Sequence, residues 1–340
     1  MKMNKIEYPL VSICCITYNH APFIRQCLEG FLMQKGVVYE ILIHDDCSTD
    51  GTTEIIKEYA AKYPDLIFPL YETENQYSKG VDVDIYNYRR VKGKYIAYCE
   101  GDDYWTDPLK LQRQVDFMES HSNCSMCYTD CDIYFEETKD FQRSLFANSV
   151  SYIDKINPFM SYGYLGNCTW LWRANIQVYD AQQKFKIIDG ALESLYLLAK
   201  QGDVDYVEGS SMAIYRRHRG SASCFDKVDD ERKYQYAKSV FLLRERFADQ
   251  FGTPNENKKR LYTTALRNVY TQALIRKDNE MISIFRNYYR NKFESDTIER
   301  ILLDLYHIRK SKSYQLGRFL TKPITVIREK INNKRFKKEI

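Results

Sequence analysis

Along the first 130 residues the chain alternates between two hydrophobic rhythms. Short apolar runs at 10–17 (LVSICCIT), 40–46 (EILIHDD), 66–72 (LIFPLYE), 94–100 (KYIAYCE) and 124–130 (CSMCYTD) read as buried strands. Between them, apolar residues recur at three- and four-residue spacing. Ile24, Cys27, Leu28 and Phe31 mark a helix over 21–34, and Ile55, Ile56, Tyr59 and Ala60 mark another over 52–63. A helical segment near 82–91 and a helix over 107–121, with Pro108 in its first turn, complete the alternation. Strands alternating with helices predict an α/β fold with a mainly parallel sheet, flanking helices and right-handed crossovers. Residues 145–228 are mixed, with a helix at 189–202 and short strands around 204–217. From about 229 the pattern turns helical, over 229–251, 258–277, 279–292 and 295–310.

Composition narrows the class. With 340 residues, 44% hydrophobic and 28% charged, the chain has the make-up of a folded globular protein. Its apolar runs fall far short of the ~18 residues of a membrane span. The N-terminal apolar stretch lacks a small-residue cleavage site and reads as the first strand, which predicts a cytoplasmic protein. The ten cysteines then sit in a reducing compartment, and Cys124, Cys127 and Cys131 read as buried thiols because no fourth metal ligand is nearby in sequence. Charge is uneven: from residue 226 onward Lys and Arg outnumber Asp and Glu by 27 to 15, in a chain whose net charge is only +4. An acidic body with a basic tail predicts that the tail faces something anionic.

Open parallel sheets bind ligands beyond the carboxyl ends of their strands. Strand one ends in TYNH, strand two in HDDCSTD and strand four in EGDD, so these polar clusters converge on one edge. Neither glycine-rich phosphate loop motif is present, and no H-E-x-x-H occurs. Glu100, Asp102 and Asp103 place three carboxylates within four positions, which repel unless a cation sits among them. Mg²⁺ or Mn²⁺ shared with a diphosphate would be such a cation. Asp45 and Asp46 can accept hydrogen bonds from a base or ribose, or serve the turn through Ser48 and Thr49. Asp82 and Asp84 suit a helix start, and the TDCD of 129–132 borders an acceptor side. Trp170 and Trp172 fit either sugar stacking or the core.

Three segments together, VSICCITYNHAPFIRQCLEGFLMQ, YEILIHDDCSTDGTTEII and GKYIAYCEGDDYWTDPLKLQRQVDFM, resemble glycosyltransferase family 2 over roughly residues 8–225. That resemblance implies the GT-A fold, an inverting transfer from a nucleotide sugar, expected to be UDP-linked, and a divalent Mn²⁺ or Mg²⁺ ion. It implies a catalytic domain over 1–225, while the helical spacing and the basic amphipathic pattern beyond it mark a helical region over 226–312 and a tail over 313–340. It places Thr17, Tyr18 and Asn19 around the nucleotide, Asp46 on the base with Asp45 in support, Asp102 near the ribose and Asp103 on the metal. Asp189, at the start of the 189–202 helix, matches the general base, with Glu193 one turn later in reserve. The YRRHRGSAS segment (215–223) resembles the closure over the diphosphate, where Arg216, Arg217, His218 and Arg219 offer cationic donors. The acceptor is expected to be a saccharide or a lipid-linked saccharide, as in bacterial surface polysaccharide, with the 313–340 tail lying on an anionic membrane surface at the inner face of the plasma membrane. Nucleic acid is not expected as a partner. Two rivals remain. A sugar-phosphate nucleotidyltransferase would want a glycine- and basic-rich first loop, which TYNHAPF lacks. A non-catalytic binding protein would not need Asp46, Asp102, Asp103 and Asp189 together.

Overall fold

The computed structural model describes residues 10–143, 166–176, 178, 190–219, 230–252 and 255–289. Two compact units divide the chain between Val228 and Asp229.

The first unit contains strands β1 (Val11–Thr17), β2 (Tyr39–Asp45), β3 (Ile67–Tyr71), β4 (Tyr95–Tyr98), β5 (Tyr104–Trp105), β6 (Cys124–Tyr128), β7 (Cys131–Phe135), β8 (Asp140–Gln142), β9 (Leu171–Arg173), β10 (Asp203–Tyr206) and β11 (Ala213–Arg217). Its helices are α1 (Ile24–Leu32), α2 (Thr52–Lys62), α3 (Asp84–Tyr88), α4 (Lys110–Ser120) and α5 (Gly190–Gln201). A seven-stranded sheet runs in the order β10-β6-β9-β4-β1-β2-β3. All its pairings are parallel except those of β9, which is antiparallel to both β4 and β6. The α/β architecture with flanking helices agrees with the hydrophobic rhythm. The antiparallel insertion comes from the mixed region, where a three-residue strand is too short to show a period.

Alternation along β1 divides the core. Val11, Ile13 and Cys15 face α1, with Leu28, Phe31, Trp105 and Met118 in one apolar cluster. Cys14 faces the other side, with Leu42, Ile96, Met126, Trp170, Trp172 and Leu198. Both tryptophans are therefore core residues packed beneath the sheet, not sugar platforms. Cys127 and Cys131 line the first cluster as free thiols.

A second sheet, β5-β11-β7-β8, completes the first unit. Its β11 is parallel to β7 and antiparallel to β5, which follows directly on the EGDD turn. This pairing brings residues 216–218 back to residues 102–105 across more than a hundred positions of sequence.

The second unit comprises α6 (Asp230–Gln250), α7 (Asn255–Ala265), α8 (Thr271–Arg276) and α9 (Asn279–Tyr289). The helix expected over 258–277 is interrupted by a π-helical turn, Leu266–Tyr270, after which the Thr271 hydroxyl donates to the Leu266 carbonyl (2.9 Å). Phe285 stacks on Phe241 (centroids 4.9 Å) and on Tyr270 (4.6 Å), so aromatic rings fill this small core. The expected helix at 295–310 and the 313–340 tail lie outside the described residues. Among the described residues, no helix is long and apolar enough to cross a membrane.

Candidate active site

Two strand ends are laced together before any chemistry is considered. Asn19 takes a left-handed conformation (φ 55°), its N–H donates to Ser48 Oγ (2.9 Å), and its Oδ1 accepts from Thr49 N–H (2.8 Å). His20 N–H donates to Thr52 Oγ1 (2.8 Å), whose hydroxyl in turn donates to Asp50 Oδ1 (2.6 Å). Ala21 N–H donates to Asp50 Oδ2 (3.0 Å). The polar run CSTDGT thus fixes the turn after β1 as well as its own. Tyr18 projects from this turn with 45% of its surface exposed.

Asp45 and Asp46 separate in role. Asp45 accepts from Ser48 N–H (3.2 Å), Ser48 Oγ (2.5 Å) and Thr53 Oγ1 (2.5 Å), which organises the turn. Asp46 receives the N–H groups of Gln76 (2.7 Å) and Tyr77 (3.0 Å), and so anchors the loop after β3. His44 lies behind it, stacked on Tyr86 (4.7 Å between centroids), with Nε2 3.6 Å from Asp46 Oδ1.

The EGDD turn lies flat on the end of β1. Gly101 N–H donates to the Ile16 carbonyl (2.9 Å), and a Cβ at position 101 would come 2.7 Å from Thr17 Oγ1 and 3.0 Å from Ile24 Cδ1. Only glycine fits this approach, and Thr17 is sealed beneath it, its hydroxyl without a hydrogen-bond partner.

The three carboxylates of this turn resolve their repulsion by facing different neighbours. Glu100 Oε1 accepts from Asn167 Nδ2 (2.9 Å). Asp103 Oδ1 accepts the backbone N–H of Arg216 (2.7 Å). Asp102 Oδ2 lies 3.0 Å from His218 Nε2 and 3.9 Å from His20 Nε2. Burial, joined by the charges of Asp102 and Glu100, pushes the Asp103 carboxyl well above its ordinary range. At Asp102 burial pushes the same way, but the His218 hydrogen bond and the nearby His20 outweigh it and leave the carboxyl below its ordinary value. Burial pulls the His20 imidazole down, against the attraction of Asp102.

His20, Asp102 and His218 each bring one ligand atom within 4.8 Å of the others. Asp102 Oδ1 and His20 Nδ1 are buried without hydrogen-bond partners. A buried carboxylate oxygen left unpaired is costly. A cation between these side chains would satisfy it, and two imidazoles with a carboxylate are a competent donor set for a divalent metal. The residues present therefore fit an ion. It is Asp102, not the Asp103 of the sequence expectation, that stands among the histidines.

Arg216 has a different place from the diphosphate donor expected of it. It is buried, with Nε donating to the Asp102 carbonyl (2.9 Å), Nη1 to Glu136 (2.6 Å) and Nη2 to Gln26 Oε1 (2.7 Å). Phe23 and Tyr104 flank its guanidinium at 4.8 and 5.2 Å. His218 follows directly on the end of β11, so fixing Arg216 also helps hold His218 beside Asp102. Arg216→Ala is expected to lower stability by about 3–5 kcal/mol, because it strands a buried network. Chemical denaturation would measure this, and a loss below 1 kcal/mol would contradict the clamp.

Sequence reasoning quoted His20 in TYNH but gave it no role. Its signal was present, a histidine just past a strand end on the polar edge; what was missing was the partner, since only the pairing of β11 with β5 brings His218 back to it. Asp189 lies outside the described residues, and Glu193 is buried in the first turn of α5.

A mainly parallel α/β sheet with a carboxylate–histidine cluster at its carboxyl edge is the GT-A type of arrangement. Residues 12–179, just under half of the chain, match the profile described as Glycosyl transferase family 2, which makes this part of it a family 2 glycosyltransferase domain. An uncharacterized protein of Mycobacterium tuberculosis is 32% identical over 212 residues, covering 61% of this chain and 59% of that protein. The chain thus spans less than two thirds of the length of that relative. TuaG of Bacillus subtilis, named as a teichuronic acid biosynthesis glycosyltransferase, is 31% identical over 44% of this chain and 57% of its own. Among solved structures, residues 1–349 of S. aureus TarS, in complex with UDP-GlcNAc, superpose with a TM-score of 0.59 at 15% identity, covering 88% of this chain and 91% of that one. The mannosyltransferase PcManGT of Pyrobaculum calidifontis, in complex with GDP-Man and Mn²⁺, gives 0.54 at 14% identity, covering 91% and 83%. At these identities the likeness is one of fold.

Proposed function

We propose that this chain is a metal-dependent, inverting glycosyltransferase that moves a sugar from a UDP-linked donor to a hydroxyl of a saccharide or lipid-linked saccharide. The observation that carries the reading is the ionised Asp102 beside His218 at the carboxyl edge of the sheet, one carboxylate oxygen still unpaired. Asp102 and His218 would hold a divalent ion, which supplies charge neutralisation for a leaving diphosphate.

The remaining roles belong to the chain itself. Tyr18, exposed at the end of β1, offers its ring to the nucleotide base, and the Asn19 turn sets its direction. Asp46 keeps lone pairs beyond those used by Gln76 and Tyr77, and these can accept from the base. Asp45 supports from the turn, and Thr17 lies under the glycine on which the EGDD turn rests. Asp103 aligns β11 through the Arg216 N–H, so that His218 meets Asp102. Asp189 takes the proton from the attacking hydroxyl on the side opposite the departing diphosphate.

TuaG's name and the UDP-GlcNAc bound to TarS favour a UDP-sugar and a role in surface polysaccharide. The basic 313–340 segment, with Leu316, Phe319, Leu320, Ile324, Ile327 and Ile331 near helical spacing, would hold the enzyme at the anionic inner face of the plasma membrane.

Titration calorimetry with a panel of UDP-, GDP- and dTDP-sugars, with and without MnCl₂, tests the reading. One UDP-sugar is expected to bind only with metal. Folded protein that binds no donor in the presence of metal would overturn it.

A further inference from the structure

We infer that His20 is a third protein ligand of the metal site, and that this second imidazole makes the site select a Mn²⁺-class ion over Mg²⁺. The inference rests on the proposed metal-dependent reading and specifies the ion that reading leaves open.

Three observations converge. First, the ligand atoms of His20, Asp102 and His218 lie within 4.8 Å of one another. Two opposite metal–ligand bonds of about 2.1 Å span about 4.2 Å, so the cluster needs only a small closure to surround one ion. Second, Asp102, at 8% exposure, keeps Oδ1 without a partner, and the His20 ring keeps Nδ1 without one. Were the histidines present only to neutralise Asp102, both of its oxygens should find donors. Third, both rings are supported from behind. Phe23 packs against His218 (4.7 Å between centroids) and lies 6.3 Å from His20, while the two imidazoles meet edge to face at 6.1 Å.

The backbone of His20 is held as firmly as its ring. Its N–H is fixed by Thr52 Oγ1, which Asp50 fixes in turn, and the neighbouring Asn19 is bound to Ser48 and Thr49. A loop that only had to admit a nucleotide would not need its histidine so constrained. With the ring's place set in advance, little conformational entropy is lost when a metal is bound.

The donor set decides the ion. Mg²⁺ prefers hard oxygen ligands, keeps several of its waters and demands near-ideal octahedral geometry. Imidazole nitrogen suits the later first-row ions better, and Mn²⁺ tolerates a mixed nitrogen and oxygen set while still accepting phosphate oxygens. With Asp102 and His218 alone, one nitrogen and one oxygen would leave room for either ion. Adding His20 gives two nitrogens to one oxygen and disfavours Mg²⁺.

Pulsed EPR on the full-length protein with MnCl₂, alone and with UDP, tests this by counting the ¹⁴N couplings to bound Mn²⁺. Wild type is expected to show two imidazole nitrogens and His20→Ala one, a change that a purely structural role would not produce. Mn²⁺ affinity should fall in His20→Ala by at least the 10- to 100-fold (about) that losing even an outer-shell partner costs, while Mg²⁺ affinity changes far less. His20→Asn, which keeps a polar side chain in the loop, guards against misfolding and should show the same single nitrogen. One coupling in wild type, unchanged in His20→Ala, would overturn the His20 assignment and leave the metal-dependent reading standing. Folded wild type that binds no Mn²⁺ even with UDP would overturn both.

Discussion

Asp102→Asn is expected to abolish metal-dependent donor binding and to lower kcat/KM by about 10³-fold or more, while Asp103→Asn, its neighbour in sequence, is expected to be close to silent. The contrast follows from their surroundings. Asp102 is held ionised by His218 and His20, and it presents an unpaired oxygen where a cation would sit. Replacing the carboxylate with an amide removes a full charge from the metal's ligands, a loss of several kcal/mol at a site that neutralises a diphosphate. Asp103 faces a backbone N–H, and burial with its acidic neighbours pushes its carboxyl toward the neutral form. Asn reproduces the shape of a neutral carboxyl and still offers Oδ1 to the Arg216 N–H. Calorimetry with MnCl₂ and donor, steady-state kinetics and thermal melts on both variants would decide the matter. If Asp103→Asn lost metal while Asp102→Asn kept it, the ligand would be Asp103, as the family resemblance implies.

The sequence pattern made the scaffold legible because strands and helices here are long enough to carry their periods. β1, β2, α1, α2 and α4 all fall where apolar spacing places them. The convergence of TYNH, HDDC and EGDD on one edge of the sheet was legible too, since the turns after β1, β2 and β4 do meet there. What periodicity could not show was long-range pairing. β9 is three residues long and inserts antiparallel between β4 and β6, and a strand so short has no readable alternation. The same limit hid the site's geometry. His20 and His218 are 198 positions apart in the chain, and only the pairing of β11 with β5 brings the second to the first.

Where adjacent residues share a motif, sequence assigns a role to the motif and not to the atom. Two aspartates in EGDD looked equivalent as carboxylates, yet the turn sends one toward the histidines and the other toward β11. Arg216 and His218 looked alike as cationic donors in YRRHR. Arg216, inside β11, is engaged by Glu136, Gln26 and the Asp102 carbonyl, whereas His218, just past the strand's end, meets the Asp102 carboxylate. Within the protein the repulsion among the three carboxylates of this turn is eased by three different neighbours: Asn167 for Glu100, the Arg216 N–H for Asp103 and the two histidines for Asp102.

Removal of the proposed base should separate binding from chemistry. Asp189→Asn is expected to lower kcat by about 10²- to 10⁴-fold, the usual contribution of a general base, with donor affinity and Mn²⁺ affinity unchanged. In an inverting displacement the base acts on the acceptor hydroxyl, on the face of the sugar opposite the diphosphate, so a residue with that duty need not touch the donor at all. Glu193 supplies the internal comparison. It lies in the first turn of α5 and is buried, at 8% exposure, whereas a base must come within about 3 Å of the hydroxyl it deprotonates. Glu193→Gln is accordingly expected to cost stability more than turnover, less than tenfold in kcat. Single-turnover kinetics with a bound donor, alongside calorimetric donor affinities, would distinguish the two. A kcat collapse in Glu193→Gln with an intact Asp189→Asn would instead assign the base to Glu193, in the first turn of α5.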